Sequence, residues 1–386
     1  MVASFAKALA IAPTSPADQA ALNLAYGRLA QVAHLLPIKV TAFYRAKLEE
    51  ELAVLGHTDG PLHRIVYPSA ERMAVRAPGE VADFVDDRSN MQTASKAIVQ
   101  KYADRVLFLA TPVCAAHCQY CFRQDVLTQM HGQDPVDLDE KLAALVEHVE
   151  RDPRITEVIL SGGDPLTLSP AALERVLTRL RALPQLNSIR VHTRTLVFAP
   201  QFLRHGDKAA ILARADVRLI HHIAHPYEVC GEVAAALMHL NALGLRNYNQ
   251  FPILRGINDD AGLLALHLRR LDELRVRNLS LFAPDPINYS AAFRLTLDRL
   301  FAIHDRLSAS TPSWINATAL TFDSPQGKFR REHLVSRDRD QGTALFRHHG
   351  QDILYHDLPA ALDKPGDPST LLWREKPSDR PALIGP

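Results

Sequence analysis

The chain has 386 residues, long enough for one large domain or two ordinary ones, and its 47% apolar and 23% charged residues are proportions usual for a soluble globular protein. Formal net charge is +1 and no long block of Lys and Arg stands out, which argues against nucleic acid as the main partner. No run of about 18 apolar residues occurs, so no membrane-spanning helix is expected. Met1 to Pro16 is short of positive charge and does not read as a secretory signal. Three of the four cysteines crowd between Cys114 and Cys121, a poor disulfide framework and a good metal site, and the protein reads as cytoplasmic.

In chain order, the first hundred residues read as a helical and irregular extension (1–100). Ala17 to Leu36 and Thr41 to Leu55 are rich in good helix formers, and Asp59 to Asn90 is broken by prolines and glycines into loops and short helices. A core over 101–335 follows, in which short β-rich runs alternate with amphipathic helices. The strands are expected at Arg105 to Ala110, Glu157 to Leu160, Ser188 to His192, Val217 to His221, Asn247 to Ile253, Asn278 to Phe282 and Ala319 to Phe322. Helical stripes lie between them: Leu142, Leu145, Val146 and Val149; Leu173, Val176, Leu177 and Leu180, opened by Ser169 and Pro170; and Val233, Ala236, Leu237 and Leu240. Repeated strand–helix order predicts an α/β fold with a parallel sheet. A short C-terminal extension (336–386) completes the chain. Unusual polar residues cluster at the ends of these strands: Cys114, Gly162 to Asp164, Arg194, His222, Gln250, Asp285, and Asp323 with Lys328. In an α/β barrel those ends share one face, where active sites lie.

Cys114-Ala-Ala-His-Cys118-Gln-Tyr-Cys121 places three thiols in eight residues as CxxxCxxC. Thiolates suit zinc or iron–sulfur clusters. A structural zinc site wants four protein ligands; His117 or the distant Cys230 could supply the fourth, giving a zinc-binding structural module. Three cysteines on a [4Fe–4S] cluster would instead leave one iron open to a small molecule.

The motif, with Tyr120 before its last cysteine, resembles the signature of the radical S-adenosylmethionine (SAM) superfamily. That resemblance implies a partial (β/α)6-type barrel in which Cys114, Cys118 and Cys121 hold a [4Fe–4S] cluster whose open iron is chelated by SAM. Ser161-Gly162-Gly163-Asp164 resembles the segment that holds the methionyl amine of SAM. Longer segments resemble the lysine 2,3-aminomutase family in particular: Lys101-Tyr-Ala-Asp-Arg105-Val-Leu, Arg190-Val-His-Thr-Arg194, His221-His222-Ile-Ala-His225-Pro226, and Asn249-Gln250 through Asn258-Asp259. Weaker similarity runs from about Pro37 to about Arg331, most of the chain. By this match Arg194, His222 and Gln250 contact SAM, and Arg123 binds the substrate carboxylate.

Asp323-Ser-Pro-Gln-Gly327-Lys328 resembles the family segment whose lysine carries pyridoxal phosphate (PLP), so Lys328 is expected to be that lysine, with Lys101, Tyr102 and Arg105 in the PLP pocket. Asp285 and Asp323 align with the aspartates that hold the distal ammonium of lysine, and two neighbouring carboxylates without a cation would raise each other's pKa. The resemblance thus implies an aminomutase moving an amino group from C2 to C3 of a basic amino acid, with L-lysine favoured. Alternatives that keep both cofactors are arginine, β-lysine or a protein-bound lysine as substrate, or a different radical outcome. A reducing electron donor and a homo-oligomer are implied with it. The chain departs from the family in three places. Lys101 replaces an arginine, Ser324 and Gln326 shorten the glycine stretch before the lysine, and the family's C-terminal zinc-binding cysteines are missing, which leaves Cys230 read as a buried small apolar residue.

Overall fold

Seven strands run parallel in strict chain order, each hydrogen-bonded to the next one in sequence. They belong to a computed structural model that describes residues 16–131 and 137–375. The sheet comprises β1 (Ile98–Tyr102), β2 (Arg105–Thr111), β3 (Glu157–Gly162), β4 (Ser188–Thr193), β5 (Arg218–His221), β6 (Arg246–Pro252), β7 (Val276–Phe282), β8 (Ala319–Phe322) and β9 (Phe329–Arg330). Sequential order with helical crossovers is the winding of a barrel. Strands β1 and β9 add antiparallel at the two ends, and among the described residues no ladder joins them, so the barrel is partial. All seven expected strands are present within a residue or two.

The crossover helices bury the expected stripes. Leu142, Leu145, Val146 and Val149 face inward from Leu138–Arg151, and Leu173, Val176, Leu177 and Leu180 from Pro170–Arg181, whose N-cap Ser169 accepts from Ala172 N. Gly231–Ala242 buries Val233, Ala236, Leu237 and Leu240 in the same way. Along β4 and β6 burial alternates: Ile189, Val191, Asn247, Asn249 and Phe251 are buried, while Arg190, His192, Tyr248 and Gln250 occupy the other, half-buried face.

The extension over 16–97 contributes helices Pro16–Val32, Ala42–Leu55, Pro61–Val66 and Ala70–Ala74. Thr41 caps the second through Tyr44 N, and Gly56 ends it at φ 72°. One continuous apolar core includes Tyr26, Tyr44 and Ile65 of this extension, the barrel, and Leu371 to Trp373. Residues 1–15, which hold nearly all of the Met1 to Pro16 segment, lie outside the described residues.

The C-terminal extension holds structure that its sequence does not announce. Strands β10 (Leu334–Asp338), β11 (Thr343–His348) and β12 (Gln351–His356) form a three-stranded antiparallel sheet. Phe346 and Tyr355 from it meet Phe322 and Phe329 in an aromatic cluster with ring centroids 4.7 to 6.3 Å apart. Charged residues along these strands mask the alternation. Among the described residues no helix is long and apolar enough to cross a membrane.

Candidate active site

The three clustered cysteines lie in the loop between β2 and the helix Gln124–His131, with no disulfide. The N-terminal extension holds this loop by its backbone. Lys39 Nζ donates to Cys114 O (2.6 Å), His117 N donates to Lys39 O, and Gln119 donates through N to Ile65 O (2.8 Å) and through Nε2 to Val66 O (3.1 Å). His117 Nδ1 lies 2.7 Å from Pro37 O. Cys230 is half-buried at the start of a helix, where its thiol donates to Glu232 Oε2; this corrects its reading as a buried apolar residue. Burial pushes all three clustered thiols up, Cys118 to about 12, and the neighbouring thiols add to the rise at Cys114 and Cys118. Among the described residues no three His, Cys, Asp or Glu side chains stand close enough to hold a single metal ion. A cubane cluster, with one thiolate on each of three irons, spreads its ligands wider than one tetrahedral ion does.

A β-bulge at Leu109/Thr111 turns the chain from β2 into the cysteine loop, opposite Gly162. Here the two glycines serve packing against protein backbone. A Cβ on Gly162 (φ 108°) would stand 2.5 Å from Thr111 O, and one on Gly163 2.4 Å from Val113 O. Gly163 N and Asp164 N donate to Thr111 O and Val113 O, fastening the two loops together.

The resemblance gives Asp164 a carboxylate that can accept from an ammonium. In the structure it is buried and already accepts from Leu166 N, Thr193 Oγ1, Arg194 N and Thr195 N at 2.7 to 3.0 Å. Burial raises its pKa against the pull of these bonds. Its visible work is to tie the end of β3 to the end of β4. Arg194 is likewise committed: it is 8% exposed, its Nη2 pairs with Glu228 Oε1 at 2.5 Å, and its Nη1 donates to Tyr120 Oη. Glu228 also accepts from Tyr44 Oη, Ala224 N and His225 N. This buried group links the N-terminal extension, the cysteine loop and the ends of β4 and β5. His222 stacks on Tyr120 with centroids 5.7 Å apart, and burial, helped by Arg194 and His192, holds its pKa well below the usual value, so the ring is neutral. Gln250 is half-buried near the end of β6.

A second cluster gathers Lys328, Asp323, Asp285, Tyr102, Lys101 and Arg123. Lys328 Nζ stands 3.0 Å from both oxygens of Asp323 and 4.3 Å from the centroid of the Phe282 ring, with about half its side chain exposed. Its backbone N donates to Tyr102 Oη, and the same hydroxyl would meet a Cβ on Gly327 (φ 114°) at 2.8 Å. The glycine before the lysine is therefore required by both conformation and space. Arg105 lies over the Tyr102 ring at 4.4 Å. Burial, and then Asp323, push Asp285 up to about 8, with Lys328 and Lys101 pulling the other way. Neither aspartate caps a described helix.

Two residues of this cluster escaped the sequence reading. Asp87, 2% exposed, pairs with Arg123 Nε at 2.7 Å and Lys101 Nζ at 3.5 Å; burial alone would raise its pKa, and the two cations bring it below the ordinary range. It fixes both basic residues, and Arg123 also donates to Ser161 Oγ, joining this cluster to the glycine segment. His192 is the second. Its Nε2 is buried without a partner, and burial followed by Arg190, Arg123 and Lys328 keeps the ring neutral. The alternation along β4, which puts His192 on the face of Arg190, was its available signal.

Comparison with known proteins accords with this geometry. The sequence profile of the radical SAM superfamily matches residues 108–262, the stretch from β2 to the start of the helix after β6. An L-lysine 2,3-aminomutase of Haemophilus influenzae is 30% identical over 62% of this chain and 70% of its own length. The chain belongs to the lysine 2,3-aminomutase family of radical SAM proteins. Two further relatives, from Aquifex aeolicus and Treponema pallidum, are 32% and 34% identical over 60% of this chain, which spans 62% and 64% of their lengths.

The residues present suit the family's cofactors. Three free thiols on one anchored loop form a soft, anionic donor set for an iron–sulfur cluster. An exposed amine at Lys328, beside a tyrosine hydroxyl and an arginine, suits PLP.

Proposed function

We propose that the protein is a radical SAM, PLP-dependent aminomutase that moves an amino group from C2 to C3 of a basic amino acid, with L-lysine favoured. The observation that carries the substrate class is the Asp285–Asp323 pair with Lys328 against Asp323. An amine engaged with PLP no longer neutralises Asp323, and the pair then has a place for a substrate cation, which Asp285 meets by giving up its proton. A lysine ammonium or an arginine guanidinium at the far end of the substrate supplies it.

When bound, the cluster with SAM supplies hydrogen-atom abstraction, and PLP supplies a π-system to the migrating nitrogen. The chain's own residues place and confine. Cys114, Cys118 and Cys121 would hold the cluster, while SAM would lie along Ser161 to Asp164, Arg194, His222 and Gln250. Lys328 would carry PLP, with Tyr102, Arg105 and Lys101 helping to hold it. Arg123, braced by Asp87, would bind the substrate carboxylate, so that the amino acid is gripped at both ends. A neutral His222 neither repels nor protonates a ligand beside Tyr120. A thiolate-held iron cube requires a reducing compartment and a one-electron donor, consistent with the cytoplasm.

The test is anaerobic reconstitution, assay of iron, sulfide and PLP, and mass-spectrometric product analysis with lysine, arginine, β-lysine and a lysine-containing protein. Lysine should give a 2,3-amino shift, and Lys328→Ala should lose the borohydride-trapped PLP adduct. A zinc-filled protein that fails to cleave SAM under strong reductant would overturn the proposal.

A further inference from the structure

Arg72 lies in the short helix Ala70–Ala74 and is 1% exposed. Nη1 donates to Gln119 Oε1 (2.6 Å) and Tyr26 Oη (2.9 Å), and Nη2 to Gln124 Oε1 (2.9 Å), while Nε has no partner. Every acceptor is neutral, and no ion pair among the described residues includes Arg72. Other buried arginines are compensated: Arg194 lies on Glu228 and Arg255 on Glu71. Arg294, bonded to carbonyls, has Glu80, Asp285 and Asp357 within its field.

A guanidinium taken out of water without a counter-charge is a large cost that chains seldom keep. The position of Arg72 explains why this one is kept. Of its two glutamine acceptors, Gln119 lies between Cys118 and Cys121, and Gln124 donates its backbone N to Cys121 O (3.2 Å), so the guanidinium is tied to the cysteine turn through both. Three thiolates around an iron–sulfur core are net negative, and the reduced cluster carries one more negative charge, received from the one-electron donor. Neutral acceptors hold the guanidinium in place without cancelling its charge.

We propose that Arg72 is the internal counter-charge of the cysteine loop, a positioning residue contributed by the N-terminal extension that raises the reduction potential of the cluster. The inference rests on the iron–sulfur reading above. It assigns to a residue outside the barrel the task of making the first electron easier to accept. Removing the cation should disfavour the reduced state, and giving it a carboxylate partner inside the protein should act in the same direction.

The experiment is an EPR-monitored redox titration of the reconstituted protein and its Arg72→Lys, Arg72→Met and Gln124→Glu variants, with melting of each with and without cluster. Arg72→Met and Gln124→Glu should both lower the reduced-to-oxidised ratio at a fixed potential about tenfold, a shift of ~59 mV for one electron, whereas Arg72→Lys should stay near wild type. Both charge-cancelling variants should gain less stability on cluster loading than wild type. If Arg72→Met fails to fold, Gln124→Glu decides the matter, because it leaves the arginine in place. An unchanged potential in every folded variant overturns the inference and leaves the functional proposal intact. Wild-type protein that takes up no iron overturns both.

Discussion

Asp285 should make lysine binding release a proton. Its carboxyl is pushed up from an ordinary 3.8 to about 8 by burial and by Asp323, so at pH 7 the protonated form predominates. A cationic side chain between the two aspartates requires the ionised form. Lysine affinity should therefore rise about tenfold between pH 7 and pH 9, and binding at pH 7 should release close to one proton. Norleucine, the same length without the ammonium, controls for titration of the α-amino group. Calorimetry of the holoenzyme without reductant, in two buffers of different ionisation enthalpy, counts the protons. Asp285→Asn should abolish the excess pH dependence of lysine over norleucine. Equal proton release with both ligands, or an unchanged lysine profile in Asp285→Asn, would refute the reasoning. In the free protein the folded state holds this proton where the unfolded chain does not, so the stability contributed by this group falls as pH climbs from about 4 to about 8.

Gly163→Ala would set a Cβ 2.4 Å from Val113 O and 2.7 Å from Pro112 C, both backbone atoms; a loss of about 1–3 kcal/mol is expected, with reduced iron uptake, while Gly231→Ala, which meets nothing within 4 Å, should do neither. A denaturant midpoint for Gly163→Ala indistinguishable from wild type would remove the packing role. Glu228→Gln keeps an acceptor but leaves the Arg194 cation unpaired and buried, for a loss of about 3 kcal/mol by denaturant unfolding. A change below ~1 kcal/mol would mean that the surrounding hydroxyls suffice for Arg194.

The seven parallel strands and the helix stripes could be read from the sequence because both periods were intact there. Strand β1 could not, since Ile98 to Tyr102 is brief and gains its place by turning tightly through Ala103 and Asp104 onto β2. The C-terminal sheet hid behind Arg, Asp and His on its open face. Within the site, residue type and spacing single out the cysteines, whereas Lys328 and the aspartate pair are reached only through resemblance to the family. Asp87 did not stand out, because it follows Asp86 in a loop without periodicity and only folding brings Arg123 and Lys101 to it. Asp164 shows the converse. A carboxylate after two glycines suggests an open acceptor, yet four donors of the chain itself fill it.

The cysteine loop is braced by Pro37, Lys39, Ile65 and Val66, all of them earlier in the chain than the first strand of the sheet. A ribosome delivers these braces before it delivers the thiols they hold. The loop can thus be shaped as it emerges, ahead of the rest of the barrel, and a metallocluster carrier would meet a rim already formed on one side. Cutting away the first seventy residues would then strip the metal centre of its mould as well as removing helices from the periphery.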